Sequence, residues 1–210
     1  MRLLLFYLLL SLPQMASAQY DFSPGSYVLE SNPQIRLKGY LKQNAKALVV
    51  QNVNGKNIKH PFDSVRSFKI ELHSYIKASG FTIDKGFTGE LAKDLFVELL
   101  DSGAVSLMRY RYPQNSIVTP NGLMSTSPPT LYLLRRASER ESISIPYAVI
   151  DGAGKRFREA LLPFVSARPD LIAALRDKKV TIYNLVTFIS SLNRNEPFLT
   201  YPLQGSPSTN

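Results

Sequence analysis

The chain has 210 residues, 44% hydrophobic, 20% charged and 10% aromatic, with 11 Gly, 14 Pro, no Cys and a formal net charge of +9. Such a composition excludes a collagen-like chain, a coiled coil and a wholly disordered polymer, and the length suits one compact domain or one domain with a small appendage. Without Cys there is no disulfide scaffold, thiol catalysis, thiolate metal site or thioether lipid anchor. Two His residues make a histidine-rich metal site untenable, and no cofactor is implied.

The chain opens as an export signal would. Arg2 supplies a positive start, Leu3 to Leu12 is an apolar run broken only by Ser11, and Pro13 ends it. Ala16-Ser17-Ala18 is a small-residue cleavage site, which predicts a signal peptide over 1–18, cleavage after Ala18 and a periplasmic or extracellular protein. Loss of Arg2 lowers the charge from +9 to +8. No later run is long enough to cross a bilayer as a helix, so no transmembrane span is expected after cleavage.

From Tyr27 to about Val149 the apolar period is two, and 19–150 is read as a β-rich domain. Ile35, Leu37, Gly39 and Leu41 alternate with Arg36, Lys38, Tyr40 and Lys42, which predicts a half-buried strand with a basic outer face. Ala47 to Val50 is continuously apolar and suits a strand covered on both sides. Asn54-Gly55 follows, and that pair favours a type I′ hairpin turn into Lys56–His60. Phe68, Ile70 and Leu72 alternate with Lys69 and Glu71 as a further strand.

The stretch from Leu91 to Leu100 fits a helix or a strand; a hairpin of Leu95–Leu100 with Ala104–Tyr112 around Asp101-Ser102-Gly103 is favoured. Residues 113–129 form a long Pro- and Ser-rich loop without charge, read as a mobile insertion. Ser142 to Val149 alternates again, with Ile143, Ile145, Tyr147 and Val149 on one side, and Pro146 places it at an edge or a bulge.

Beyond Gly154 the period becomes 3.6. Phe157, Leu161, Leu162 and Val165 make one helical stripe, which Pro163 kinks or ends. Pro169 and Asp170 open a second helix facing inward with Leu171, Ile172 and Leu175. Thr181 caps a third, with Ile182, Leu185, Val186, Ile189 and Leu192 on one face until Pro197. Three short helices cannot bury their stripes alone, so 151–196 should pack on the sheet and 197–210 should be flexible. The predicted fold is α+β: a mostly antiparallel sheet or partly open barrel of about six to eight strands, covered by two or three C-terminal helices.

Three segments together resemble a family of uncharacterised exported proteins of Gram-negative bacteria. They are Gly25-Ser26-Tyr27-Val28 with Lys38-Gly39-Tyr40-Leu41; the stretch Phe96 to Tyr110 around Gly103; and Phe157-Arg158-Glu159-Ala160-Leu161, Arg168-Pro169-Asp170-Leu171 and Ile182-Tyr183-Asn184-Leu185-Val186. The motifs are loose patterns of Gly, aromatic and aliphatic residues. The family's helical tail often holds a cysteine, which this chain lacks. The resemblance implies export and architecture, and no activity.

Searching for chemistry finds no nucleophile elbow, zincin helix, Walker loop or dinucleotide fingerprint. Gly152-Ala153-Gly154-Lys155 is too short for a phosphate loop and lacks the following Ser or Thr. His60 and His73 sit on separate predicted strands beside basic or hydroxyl residues and read as surface histidines. Asp94, Glu98 and Asp101 would share a face on a helix; the hairpin separates them into a solvated acidic edge.

What remains is basic. Arg109 and Arg111 project to one side of their strand, opposite Tyr110 and Tyr112; Arg135 and Arg136 lie on another strand, and Arg36 and Lys38 on a third. If these faces align they form a positive surface. The leading expectation is a non-catalytic envelope binding or scaffolding module that takes an anionic envelope polymer, lipid headgroups or an acidic protein. Export argues against nucleic acid. The alternatives are a hydrolase using Asp or Glu, and a secreted protein-interaction factor.

Overall fold

The computed structural model describes residues 22–44, 46–52, 54–84, 89–111, 130–146 and 153–199. The expected signal peptide over 1–18, the expected loop over 113–129, Tyr112, Tyr147, Val149 and the residues beyond 199 lie outside them. The chain divides into two compact units, Met1–Leu72 and His73–Asn210.

The first unit is a five-stranded antiparallel sheet in the order β5-β1-β2-β3-β4. Its strands are β1 (Ser23–Leu29), β2 (Asn32–Gln43), β3 (Ala47–Gln51), β4 (Asn57–Pro61) and β5 (Val65–Ile70). One face carries Tyr27, Leu41, Leu48, Val50 and Phe68, all buried. Leu48, Val49 and Val50 are buried in succession, and Val49 lies on the face opposite Leu48 and Val50, between Lys42 of β2 and Lys59 of β4. β1 and β2 meet at two facing glycines, Gly25 and Gly39. A Cβ on Gly25 would lie 2.2 Å from the Lys69 carbonyl oxygen and 2.6 Å from Leu41 Cδ1. The glycine is there because backbone and core close in on it from two strands.

The Asn54-Gly55 hairpin forms, but the connection is residues 52–56 rather than two residues. Asn52 Oδ1 accepts the amide N–H groups of Asn54 (3.0 Å) and Lys56 (2.9 Å), and Gly55 takes φ 73°. That side chain organises a wider loop than the tight turn expected from the dipeptide. Two apolar expectations fail in this unit. Ile35 and Leu37 are 50% and 38% exposed, because β3 pairs only with Tyr40–Gln43 and leaves the first part of β2 uncovered. Leu72 is exposed because Glu71, at φ 54°, turns the chain just after β5 ends.

The second unit holds an antiparallel sheet in the order β6-β9-β10-β11-β12 and a separate ribbon of β7 with β8. The strands are β6 (His73–Ala78), β7 (Thr82–Asp84), β8 (Gly89–Leu91), β9 (Leu95–Asp101), β10 (Val105–Arg111), β11 (Thr130–Arg136) and β12 (Ile143–Ile145). The helices are α1 (Lys155–Leu161), α2 (Pro169–Arg176) and α3 (Leu185–Arg194), with a 3-10 turn at Leu162–Phe164 that carries Pro163. The segment from Leu95 is therefore the hairpin and not the helix. The expectation of six to eight strands was low: five pair in the first unit, and seven stand in the second. In each unit the main-sheet strands are in open order.

Both faces of the second sheet are used. On one, Val105, Leu107, Leu134 and Ile145 pack with Phe157, Leu161, Val165, Leu171, Leu185, Phe188 and Ile189 of the helical segment. On the other, Val97, Met108 and Leu133 pack with Phe81, Ile83 and Ala92 around the ribbon. The third helix starts at Leu185, four residues after the expected cap. Asn184 explains the delay: its Oδ1 accepts Thr181 N–H (2.8 Å) and its Nδ2 donates to the Lys179 carbonyl (2.9 Å), closing a turn first. Val186 and Leu162, expected in apolar stripes, are 43% and 36% exposed.

Candidate functional site

Strand alternation puts Arg36, Lys38, Tyr40 and Lys42 on one side of β2, opposite Leu37 and Leu41. Register extends that side across the sheet. Lys69 of β5 faces Ser26 of β1, which faces Lys38 of β2. Lys42 faces Val49 of β3, which faces Lys59 of β4. One sheet face of the first unit thus holds five cations. Arg36, Lys38, Lys59 and Lys69 are exposed, as is Tyr40 at 55%. Arg36 donates to Ser26 Oγ (3.2 Å), and among the described residues none of these four makes an ion pair. The described acids of this unit, Glu30, Asp63 and Glu71, stand in the connections between strands rather than on this face. The face is cationic because no strand residue of opposite sign interrupts it.

The second unit gathers charge differently. Glu98 stands mid-strand on β9, between Tyr75 of β6 and Arg109 of β10. It is 9% exposed, so its carboxylate needs partners. Arg109 donates from Nε (3.0 Å) and Nη2 (2.7 Å) to Oε2, and His73 Nδ1 meets Oε1 at 2.7 Å. Burial pushes the Glu98 carboxyl up, but hydrogen bonds and charge from Arg109 and His73 outweigh it and leave the pKa below its ordinary value. Burial also raises the Tyr75 hydroxyl pKa, helped by Glu98 and opposed by Arg111 and Arg109. Tyr75 therefore stays a neutral phenol, and Glu98 stays ionised.

Both Glu98 oxygens are occupied, so this carboxylate is a fixed anchor and a poor proton donor. Nothing among the known protein families, the curated proteins or the solved structures matches this chain.

The six basic residues expected to bind divide by position. Arg36 and Lys38 share the cationic face of the first unit. Arg109 and Arg111 share a side of β10, as alternation required, while Tyr110 packs against Phe81 on the other side (5.9 Å). Arg109 is neutralised by Glu98. Arg135 lies on the side of β11 opposite Arg109 and donates to the Lys77 carbonyl (3.1 Å). Arg136 is spent on structure: it donates to Glu139 (2.9 Å) and the Pro163 carbonyl (2.9 Å), with its guanidinium 4.6 Å from the Phe164 ring centre. Arg109, Arg135 and Arg136 thus have partners inside the fold.

Sequence reasoning missed two contributors and misjudged two more. Lys59 and Lys69 join Arg36 and Lys38 only through register, although Lys69 was already legible as the outward residue of its strand. His73 is not a bystander but a partner of Glu98, and Glu98 is not on a solvated edge. The cause is one fact: β9 lies between β6 and β10, and the carboxylate meets a ring nitrogen of His73 from one and the Arg109 guanidinium from the other. His60 stacks on Tyr27 (5.3 Å), and its burial lowers its pKa.

Proposed function

We propose that this is an exported, non-catalytic binding module of the cell envelope, and that the cationic sheet face of its first unit takes an anionic partner. The observation that carries the reading is the set Arg36, Lys38, Lys59 and Lys69, exposed on one face without an acid among its strand residues. Each basic residue near an anionic surface contributes about 1 kcal/mol, so four amount to roughly 4 kcal/mol, or about a thousandfold in affinity. Salt weakens such binding, because exposed charges are screened over about 8 Å at physiological ionic strength. The hydrolase alternative has less support: Glu98, the most buried of its candidate carboxylates, is held ionised with both oxygens in use.

The test is co-sedimentation with phosphatidylglycerol vesicles and with peptidoglycan sacculi, and retention on immobilised polyglutamate, at low and high salt. Salt-sensitive retention on at least one is expected, weakened about 30-fold by the double substitution Lys59→Ala and Lys69→Ala. Indifference to all three at low salt, by folded protein, refutes the reading.

A further inference from the structure

We propose that the open edge of β2 is a docking strand for an extended protein segment in which acidic and apolar residues alternate. The inference rests on the binding-module reading and names its partner. β2 runs from Asn32 to Gln43, but β3 covers only Tyr40–Gln43, so among the described residues nothing pairs with 32–39 on the side away from β1. Residues 32–38 are all exposed.

Hydrogen-bond direction on that edge follows from the register. Glu71 N–H donates to the Pro24 carbonyl (2.9 Å), so even-numbered residues of β1 turn their backbone groups toward β5 and odd-numbered ones toward β2. Gly25 with Gly39 and Tyr27 with Leu37 are therefore the bonded pairs of β1 and β2. Arg36 and Lys38 then direct their N–H and C=O groups away from β1, to the open side. Asn44 N–H to the Ala47 carbonyl (2.9 Å) shows the same even-numbered direction where β3 does pair. An exposed edge of this kind adds a strand from another chain by main-chain hydrogen bonds, with side chains supplying the choice of partner.

The side chains make that choice. On one side of the edge stand Arg36 and Lys38, and on the other stands Leu37, 38% exposed. A second copy of β2 would bring like charges together, which disfavours self-pairing. A strand with acids on one side and aliphatics on the other satisfies both faces. The register between β1 and β2 breaks after Val28 opposite Arg36, and Pro33 lies beyond that break, so the template is short and centred on Arg36–Gly39.

The experiment uses protein purified from cells expressing the full chain and a fluorescent ten-residue peptide of alternating Glu and Val with blocked ends. A second peptide replaces each Val by Pro, keeping the charge and removing the ladder. Polyglutamate, phosphatidylglycerol vesicles and peptidoglycan sacculi complete the probes. The alternating peptide should bind at least tenfold tighter than the proline peptide, and its binding should slow amide exchange of 34–39. Arg36→Glu should weaken it at least tenfold, whereas Lys155→Ala, on the exposed start of α1 in the second unit, should change it less than threefold; both variants should keep the wild-type melting temperature. Equal binding of the two peptides and polyglutamate overturns the edge while leaving the cationic face standing. Vesicle binding without peptide preference also overturns the edge and assigns the face to lipid. Failure of every probe defeats both.

Discussion

Substituting Arg109 by Met removes the guanidinium and keeps most of the apolar stem. Glu98, with its side chain 11% exposed, then loses two donors at 3.0 and 2.7 Å and keeps only His73. Removing one partner of a buried ion pair costs about 3–5 kcal/mol. Arg109 is itself 20% exposed and His73 remains, so the expected loss is about 2–4 kcal/mol at pH 7. At this chain length each kcal/mol moves the midpoint about 2–4 °C. The chain has no Trp, so unfolding is followed by far-ultraviolet circular dichroism and tyrosine fluorescence.

The loss should also depend on pH. In the wild type Glu98 has a folded pKa below its ordinary value of 4.5, so its contribution is complete above that value and fades as pH falls through the folded pKa. In Arg109→Met only His73 still opposes the effect of burial, so the carboxyl takes up its proton at higher pH than in the wild type. The gap between the two proteins should therefore narrow as pH drops toward 4. A double variant, Glu98→Leu with Arg109→Met, should recover most of the stability, since an apolar pair replaces a paired charge at little cost. A gap below about 0.5 kcal/mol at pH 7, or one that does not change with pH, would refute the view of Glu98 as a buried anchor.

Two further substitutions test the frame around the sites. Gly25→Ala forces a Cβ within 2.2 Å of the Lys69 carbonyl oxygen and should destabilise the first unit by several kcal/mol; limited proteolysis would show 23–70 cut first. Gly55→Ala meets open space and is opposed only by φ 73°, so it should cost about 1 kcal/mol by thermal melt. Asn193 of α3 bridges to the Val105 backbone, Oδ1 accepting its N–H (3.0 Å) and Nδ2 donating to its carbonyl (2.7 Å). Asn193→Ala strands both groups and should cost about 2–3 kcal/mol, and Asp should restore only the accepting half.

Local chemistry made much of the fold legible. The hairpin at Asn54-Gly55, the strand pair around Gly103, the break at Pro163 and the edge position of β12 each follow from a turn residue, a period or a missing amide. Burial was less legible, because it depends on neighbours that alternation does not name. Ile35, Leu37 and Val186 fit apolar stripes, yet they stand where no element covers them. Glu98 and His73 are 25 positions apart, and only strand order brings them together. The cationic face was half visible: the run Arg36 to Lys42 announced it, while Lys59 and Lys69 required knowing which strands flank β2.

The reading as a whole turns on whether the basic side of the first unit is covered when the protein is bound. Acetylation footprinting by mass spectrometry measures this directly, comparing free protein with protein saturated by the Glu–Val peptide or by phosphatidylglycerol vesicles. Lys38 should lose reactivity at least fivefold with either partner present and Lys59 at least fivefold with vesicles, while Lys155, Lys178 and Lys179 of the second unit react as before. Uniform reactivity across all five lysines, in a sample where binding is saturated, would contradict the account.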